Sequence, residues 1–401
     1  MDLRTGESYW IATNGPFATY PALHHDETCD IAVIGGGVTG ALTAHALARD
    51  GVNVVIIDRR RAATGSSAAS TGLLLYDTDT SLAELARTVG LHTAVRSYQL
   101  GREAIDHVER IVGALGDDCG FARRPGLYLA SSQGDVRALQ DEHALRRAHG
   151  FDVDFLSDSQ IKERFAIDAP GALYTPNEGE IDSYRFTHRL LSAATAAGAR
   201  VYDETAVLTT DRVGTSFELK TNTDCVVRAR RIVWATGYET ANLVDAQLTD
   251  LNSTWACATD AIDHWGGWPE RCLLWETARP YFYLRTTADG RFMIGGEDSP
   301  FSRRHQSRRL LQKKTQTLLD RLRELIGVDA AATFSWAGVF GETRDGLPYI
   351  GHGEDPDVWY ALGYGGNGIT FSMIAARIIH DAWLGVANPD LNLLSFDRSQ
   401  D

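Results

Sequence analysis

Apolar and polar positions fall into short blocks whose period switches between that of strands and that of helices. The first clear block, Asp30-Ile-Ala-Val-Ile34, is a short apolar run and predicts a strand buried on both faces. A glycine turn follows. Val38 to Asp50, with Ala41, Leu42, Ala44, Ala46, Leu47 and Ala48, then predicts a small-residue helix that can pack closely on a sheet. Gly51 is placed to end it. Val52 to Ile57 reads as a second buried strand closed by Asp58, completing a β–α–β unit. Residues 1–28, ahead of this unit, form a polar and aromatic lead segment without a clear period.

Helical spacing returns over 82–112 (Leu82, Leu85, Ala86 and Val89, then Ala104, Ile105, Val108 and Ile111), over 135–149, and from Asp182 or Ser183 to Gly198. Strands are expected at 126–130, 200–207, 217–221 and 231–235. Residues 251–300 are strand-like and rich in aromatics. Residues 302–326 predict a long basic amphipathic helix on Leu310, Leu311, Leu318, Leu322 and Leu325. Its Arg303, Arg304, Arg308, Arg309, Lys313 and Lys314 are read as a solvated face. Strand, glycine turn and helix recur between Val358 and Trp383. There is no repeat, low-complexity tract or long linker, so a second domain is expected as insertions in the first.

The chemistry begins at the first turn. Gly35-Gly-Gly37-Val38-Thr39-Gly40 fits GxGxxG and stands directly between a predicted strand and a predicted helix. Gly35 permits the tight turn. Gly37 lets a pyrophosphate approach the backbone, and Gly40 lets the helix pack on the sheet. The helix N-terminus offers N–H donors and positive dipole to phosphates. Asp58, with Arg59 beside it, ends the second strand where a carboxylate can accept ribose hydroxyls. Three later segments favour FAD over NAD. They are Ala235-Thr236-Gly237 after a buried strand, the small-residue loop Thr64 to Gly72 with Ser66, Ser67 and Thr71, and Gly363-Tyr-Gly365-Gly366-Asn367-Gly368-Ile369-Thr370 before the last helix. The amides and helix dipole of the last can stabilise negative charge at the flavin N1–C2=O2 edge on reduction.

In order along one chain, VIGGGVTG, Asp58, WATG (234–237), PYFYLRTTADGRFMIGGED (280–298), WAGVFGETRDGLPYIG (336–351) and LGYGGNGIT (362–370) resemble the D-amino-acid oxidase-like FAD-dependent oxidoreductases, a family that includes glycine oxidase, sarcosine oxidase and γ-glutamylputrescine oxidoreductase. The resemblance spans roughly residues 30 to 385. It implies an α/β (α+β overall) protein in which a Rossmann-like FAD-binding domain is interrupted by a discontinuous antiparallel-sheet substrate domain. The division expected is a lead segment 1–29, FAD domain 30–90, 179–250 and 336–401, and substrate domain 91–178 and 251–335. The flavin ring then lies between the two, and Val207 meets the adenine through its backbone. The reaction implied is oxidation of the C–N bond of a small amine or amino acid by hydride transfer to flavin N5. The imine formed hydrolyses, and O2 or another acceptor takes the electrons.

Three departures qualify that picture. Phe340 stands where glycine-oxidase-type members have the arginine that holds a substrate carboxylate, while the nearby Glu342 suits a cationic amine. No cysteine follows Cys272, so the flavin attachment of sarcosine oxidases is not expected and FAD should be non-covalent. The only lysines are 162, 220, 313 and 314, none in a flavin-proximal motif, which tilts the reading toward a dehydrogenase or an oxidase that activates oxygen differently. The residues also suggest a pocket. Arg279, Tyr281, Tyr283 and Arg285 alternate, so they share one face of a strand, and either arginine can take a carboxylate in bidentate fashion. Trp255, Trp265, Trp268, Trp275 and Trp336 supply core or aromatic walls. No convincing base–nucleophile pair stands out, and none is needed if the amine binds neutral. A 2-hydroxy-acid or polyol dehydrogenase, or a non-catalytic FAD-binding subunit, are the rival readings.

Bulk properties narrow the partners. A length of 401 residues suggests two domains, and a net charge of −14 argues against a nucleic-acid surface. The five cysteines, 29, 119, 225, 257 and 272, are odd in number and lack CxxC spacing, which predicts reduced core thiols in a cytoplasmic protein. The N-terminus lacks a signal-peptide apolar region, and no apolar run reaches membrane-spanning length. His24, His25 and His352 have no metal-ligand spacing, and no metal is expected.

Overall fold

In the computed structural model, residues 3–15, 17–242, 248–263, 268 and 270–398 are described. Two sheets organise them. In the first, Glu27–Ile34 is central. Val54–Ile57 runs parallel on one side and Val226–Trp234 parallel on the other. Arg200–Tyr202 extends the first side, and Val358–Leu362 the second, both parallel. Tyr349–His352 closes one edge antiparallel to Val358–Leu362. Strands are therefore added in opposite directions from Glu27–Ile34, and open parallel sheets bind ligands at the carboxyl ends beside such a reversal.

The continuous apolar runs are explained by burial on both faces. Ile31, Val33, Val54 and Ile56 point into one core, and Ala32, Ile34, Val55 and Ile57 into another. The helix Val38–Arg49 packs between Ser183–Ala196 and Gly368–Leu384, with Ala41, Ala44 and Ala48 buried. Its end is a glycine motif: Gly51, at φ +77°, donates to the Ala48 carbonyl, and Val52 N–H to that of Leu47.

The second sheet has ten strands. Arg4–Gly6, Ala332–Thr343, Thr249–Thr259, Phe292–Pro300, Phe282–Thr286, Leu273–Glu276, Ala122–Leu129, Gly171–Glu180 and Leu73–Leu74 lie side by side, and Asp154–Ser157 pairs with Gly171–Glu180. All pairings are antiparallel except Leu273–Glu276 on Ala122–Leu129, so the sheet is mixed rather than purely antiparallel. The helix Arg308–Ile326 covers one face of it and buries Leu311, Leu318 and Leu322.

Several elements differ from the sequence reading. The helix expected over 82–112 is two, Leu82–Val89 and Leu91–Ala114, because Gly90 turns at φ +81°. The expected strand 200–207 ends at Tyr202, and Val207–Val213 is a separate strand, solvated along most of its length and therefore without an apolar signal. The lead segment is structured: Arg4–Gly6 pairs with Ala332–Thr343, and Tyr9–Asn14 is helical. The expected division at 335/336 falls inside the strand Ala332–Thr343. Cys257 and Cys272 are free thiols in one core cluster. Among the described residues, no helix is long and apolar enough to cross a membrane.

Candidate functional site

A cavity of about 510 Å³ lies between the carboxyl ends of the parallel strands and one face of the large sheet. That is within the range of small-molecule and cofactor sites, about 300–1,000 Å³. One wall is delivered by strand ends: Ile34 leads into Gly35, Ile57 into Asp58, Trp234 into Ala235 and Leu362 into Gly363. Four segments distant in sequence meet because parallel strands end in the same direction.

The glycine turn is fixed sterically. Gly35 sits at φ +111°, and a Cβ there would lie 2.4 Å from the Ala235 carbonyl oxygen. A Cβ on Gly40 would lie 1.9 Å from the Gly35 carbonyl oxygen, so this glycine first of all lets the helix close on its own turn. Gly37 faces Ser67, whose Oγ accepts from Val38 N–H at 2.9 Å. Asp58 accepts from Gly36 N–H and Arg60 N–H, both at 2.7 Å, and burial pushes its carboxyl up to about 6 against the pull of those amides. Gly35, Gly37, Val38, Thr39, Asp58, Arg59, Ser66, Ser67, Thr71, Val207, Ala235, Thr236 and Gly237 all line the cavity. Gly40 and Gly72 do not; a Cβ on Gly72 would strike the Ile181 carbonyl oxygen at 2.0 Å, so its role is close backbone packing.

The C-terminal motif brings Gly365, Gly366, Asn367, Gly368 and Ile369 to the wall, with Gly363 and Thr370 behind. Its amides are not all available to a ligand as expected. Gly365 N–H goes to Gly341 O, Asn367 N–H to Tyr364 O, and Gly366 N–H to Asp79 Oδ2 at 2.7 Å. What faces the cavity is the positive end of the helix Gly368–Leu384, whose first-turn amides have no partner within the helix.

The opposite wall belongs to the large sheet. Arg279, Tyr281, Tyr283, Thr254, Trp275, Asp298, Gly338 and Phe340 line it. Tyr283 is held over Gly295, where a Cβ would lie 2.2 Å from its ring. Arg279 is exposed at the rim and gives Nη2 to the Asp79 carbonyl at 2.9 Å. The expected grouping of Arg279, Tyr281, Tyr283 and Arg285 breaks at its last member. The strand begins at Phe282, and Arg285 lies beyond the cavity's end, fully buried. Its Nη1 donates to the carbonyls of Thr71, Gly72 and Ile181, each at 3.1 Å, and its Nε lies 3.3 Å from Glu180. It fastens the loop rather than facing a ligand. Trp336 is likewise core, donating to Ala69 O at 2.8 Å. Glu342 stands outside the lining and accepts from Asn252 Nδ2 at 2.7 Å. Trp255 and Trp268 are core; Trp265 lies outside the described residues.

Several lining residues gave no sequence signal. Asp77 and Arg146 form a buried pair at 3.2 Å, with Arg146 Nε also on Glu142 at 2.7 Å. Arg146 lies in the helix expected over 135–149, where only its i,i+4 spacing from Glu142 hints at pairing. Asp79 reaches both Gly366 and the Tyr281 hydroxyl, the latter at 3.1 Å. Asp298 closes the family-like stretch 280–298 but had no pattern of its own.

The residues fit a dinucleotide. Ser66 Oγ and Tyr364 Oη are buried in the wall without a partner in the protein, and buried polar groups require one. They stand with the first-turn amides of two helices and a cradle that any side chain on Gly35 would disrupt.

Comparison with known proteins agrees. The DAO family model, FAD dependent oxidoreductase, matches residues 30–382. Gamma-glutamylputrescine oxidoreductase of Escherichia coli (strain K12) is 26% identical over 404 residues, covering 95% of this chain and 89% of that protein. Glycine oxidase of Geobacillus kaustophilus (strain HTA426) is 27% identical over 361 residues, covering 88% and 92%. The crystal structure of glycine oxidase from Geobacillus kaustophilus shares the fold, with a TM-score of 0.81 at 22% identity over 93% of this chain and 99% of that one. The chain belongs to the DAO family of FAD-dependent oxidoreductases.

Proposed function

We propose that this oxidoreductase oxidises the C–N bond of a small amine or amino acid to an imine, which hydrolyses in water. The observation that supports it most is the cavity itself. Its nucleotide-like wall faces a second wall of Tyr281, Tyr283, Thr254, Asp298 and Phe340, within a family whose similar members include proteins named for an amine and for an amino acid. Bound FAD supplies the hydride acceptor. The protein binds, orients and excludes water. In this reading the helix Val38–Arg49 receives the pyrophosphate at its N-terminus, Asp58 the ribose and the Val207 backbone the adenine. Ala235 to Gly237 flank the dinucleotide, and the helix Gly368–Leu384 points its positive end at the flavin pyrimidine edge. The first sheet and its helices form the FAD unit and the large sheet the substrate unit. Arg279 is the group placed for a substrate carboxylate. The cytoplasm is the proposed location.

The test is the anaerobic visible spectrum of the purified holoprotein with separate pools of amines, amino acids and hydroxy acids. Bleaching by an amine or amino-acid pool is expected. Bleaching by hydroxy acids alone would replace this reading with hydroxy-acid oxidation, and a flavin untouched by every pool would point to a non-catalytic subunit.

A further inference from the structure

The strand Phe292–Pro300 is irregular at one place. Ser253 opposes Ser299, but Trp255 opposes Gly296, so Thr254 alone faces both Glu297 and Asp298. This is a β-bulge, a feature that bends a strand and re-aims a side chain. Glu297 takes the left-handed conformation at φ +61°, unusual for a residue with a Cβ. Lys314 of the covering helix holds it there: Nζ donates to the Glu297 carbonyl at 2.8 Å and to its carboxylate at 2.9 Å. The outcome is that Asp298 joins the cavity wall beside Thr254, Tyr281, Tyr283 and Phe340. Its Oδ1 is shielded from solvent and accepts no hydrogen bond from the protein. A carboxylate oxygen so placed needs a donor from outside the chain.

We propose that Asp298 Oδ1 receives the nitrogen of a cationic amine substrate and takes its proton, so that the amine is neutral when oxidised. In that step one N–H bond breaks, an O–H bond forms on Asp298, and the electron pair stays on nitrogen. The surroundings suit the role. Burial raises the Asp298 carboxyl to about 7 against the pull of the Thr254 hydroxyl beside the carboxylate; Asp79 and Glu342 push it up, and Lys314 pulls it down. Tyr281 and Tyr283 face it as neutral phenols, their own ionisation opposed by burial. A general base is most effective with a pKa close to the working pH. Asp79 and Glu342 also disfavour a carboxylate beside this position, which directs the substrate's charged nitrogen here and assigns any carboxylate to Arg279 at the rim of the same wall. The proposal rests on the C–N reading for its chemistry, but the binding site can be tested apart from it.

The probe is tert-butylamine, an amine without a hydrogen on the carbon next to nitrogen and therefore inert to oxidation. Its binding to the FAD-loaded protein is followed by the shift of the flavin visible spectrum across a pH series. With the native chain, binding strengthens as pH rises through about 7, because the carboxylate must be ionised to hold the ammonium. Asp298→Asn, checked for native FAD content, loses this pH dependence and binds about tenfold or more weakly. Glu342→Gln, which removes a charge without touching the bulge, moves the limb to lower pH. With an amine that bleaches the native flavin, Asp298→Asn slows bleaching at pH 7 by about 10²–10⁴-fold. An unchanged limb in Asp298→Asn, or its disappearance in Glu342→Gln instead, overturns the assignment. A limb lost with Asp298 while no amine bleaches the flavin upholds the site and removes the C–N reading.

Discussion

The two walls of the cavity are built on different principles. The nucleotide wall is made of backbone: strand ends, glycines and helix N-termini, each set by residues adjacent in sequence. The opposite wall is made of side chains that long-range pairing brings together, Thr254 beside Gly338, Tyr283 over Gly295 and Asp298 out of a bulge. A backbone cradle tolerates change in side chains but not in glycines. A side-chain wall keeps its frame while its chemistry is exchanged. This is how one fold can keep a cofactor and change a substrate.

The comparison breaks hardest at Gly40. Gly40→Ala places a methyl against the Gly35 carbonyl, and the FAD dissociation constant is expected to rise about 100-fold or more, read by titrating the stripped protein with FAD. Equal FAD binding would mean that the turn yields and that the nucleotide wall is not rigid. Arg285→Met is next. It strips three carbonyls of a donor and removes one of the two arginines beside Glu180, Arg124 staying at 2.9 Å, so unfolding free energy should fall by about 3 kcal/mol in urea. If instead stability holds and only KM moves, Arg285 faces the substrate after all. Gly295→Ala sharpens the distinction: it drives Tyr283 off the wall and should lower kcat/KM about 10²-fold while FAD affinity stays native. The smallest effect belongs to Arg279→Ala at the exposed rim. It should raise KM severalfold, on the order of 3–10-fold, for substrates with a carboxylate and not for simple amines; equal effects on both remove Arg279 from substrate recognition.

The same division decides what could be read in the sequence. Gly35 to Gly40, Asp58, Ala235 to Gly237 and the 363–370 turn are local signals, because a strand, its turn and the following helix N-terminus are contiguous. The alternation at 279–285 was a sound local signal too, yet it fixes only a face and not a distance. Each step of two residues advances about 6.5 Å, enough to carry Arg285 past the cavity and under residues 71 and 72. Asp298 was beyond reach because its direction depends on a bulge opposite Thr254, and neither residue type announces one. Arg146 gives no signal for the reverse reason. Charged residues on a helix are ordinarily solvated, and this one is internal because Asp77, Tyr76 and Tyr98, all distant in sequence, close over it.

The edge strand Arg4–Gly6 adds a matter of timing. Arg4 pairs with Gly338, while Leu3 lines the cavity, Ser8 Oγ donates to Ala68 O, and Trp10 Nε1 donates to Ser70 O at 2.6 Å. The loop 64–72 is therefore backed by a segment whose strand Arg4–Gly6 meets its sheet partner only once residues 336–338 have been made. On the ribosome the β–α–β unit can form early, but the loop against it settles only after residues 336–338 are out. Nascent protein should thus acquire a grip on the dinucleotide late and abruptly, in one closing event that joins residues 4–6 to residues 336–338.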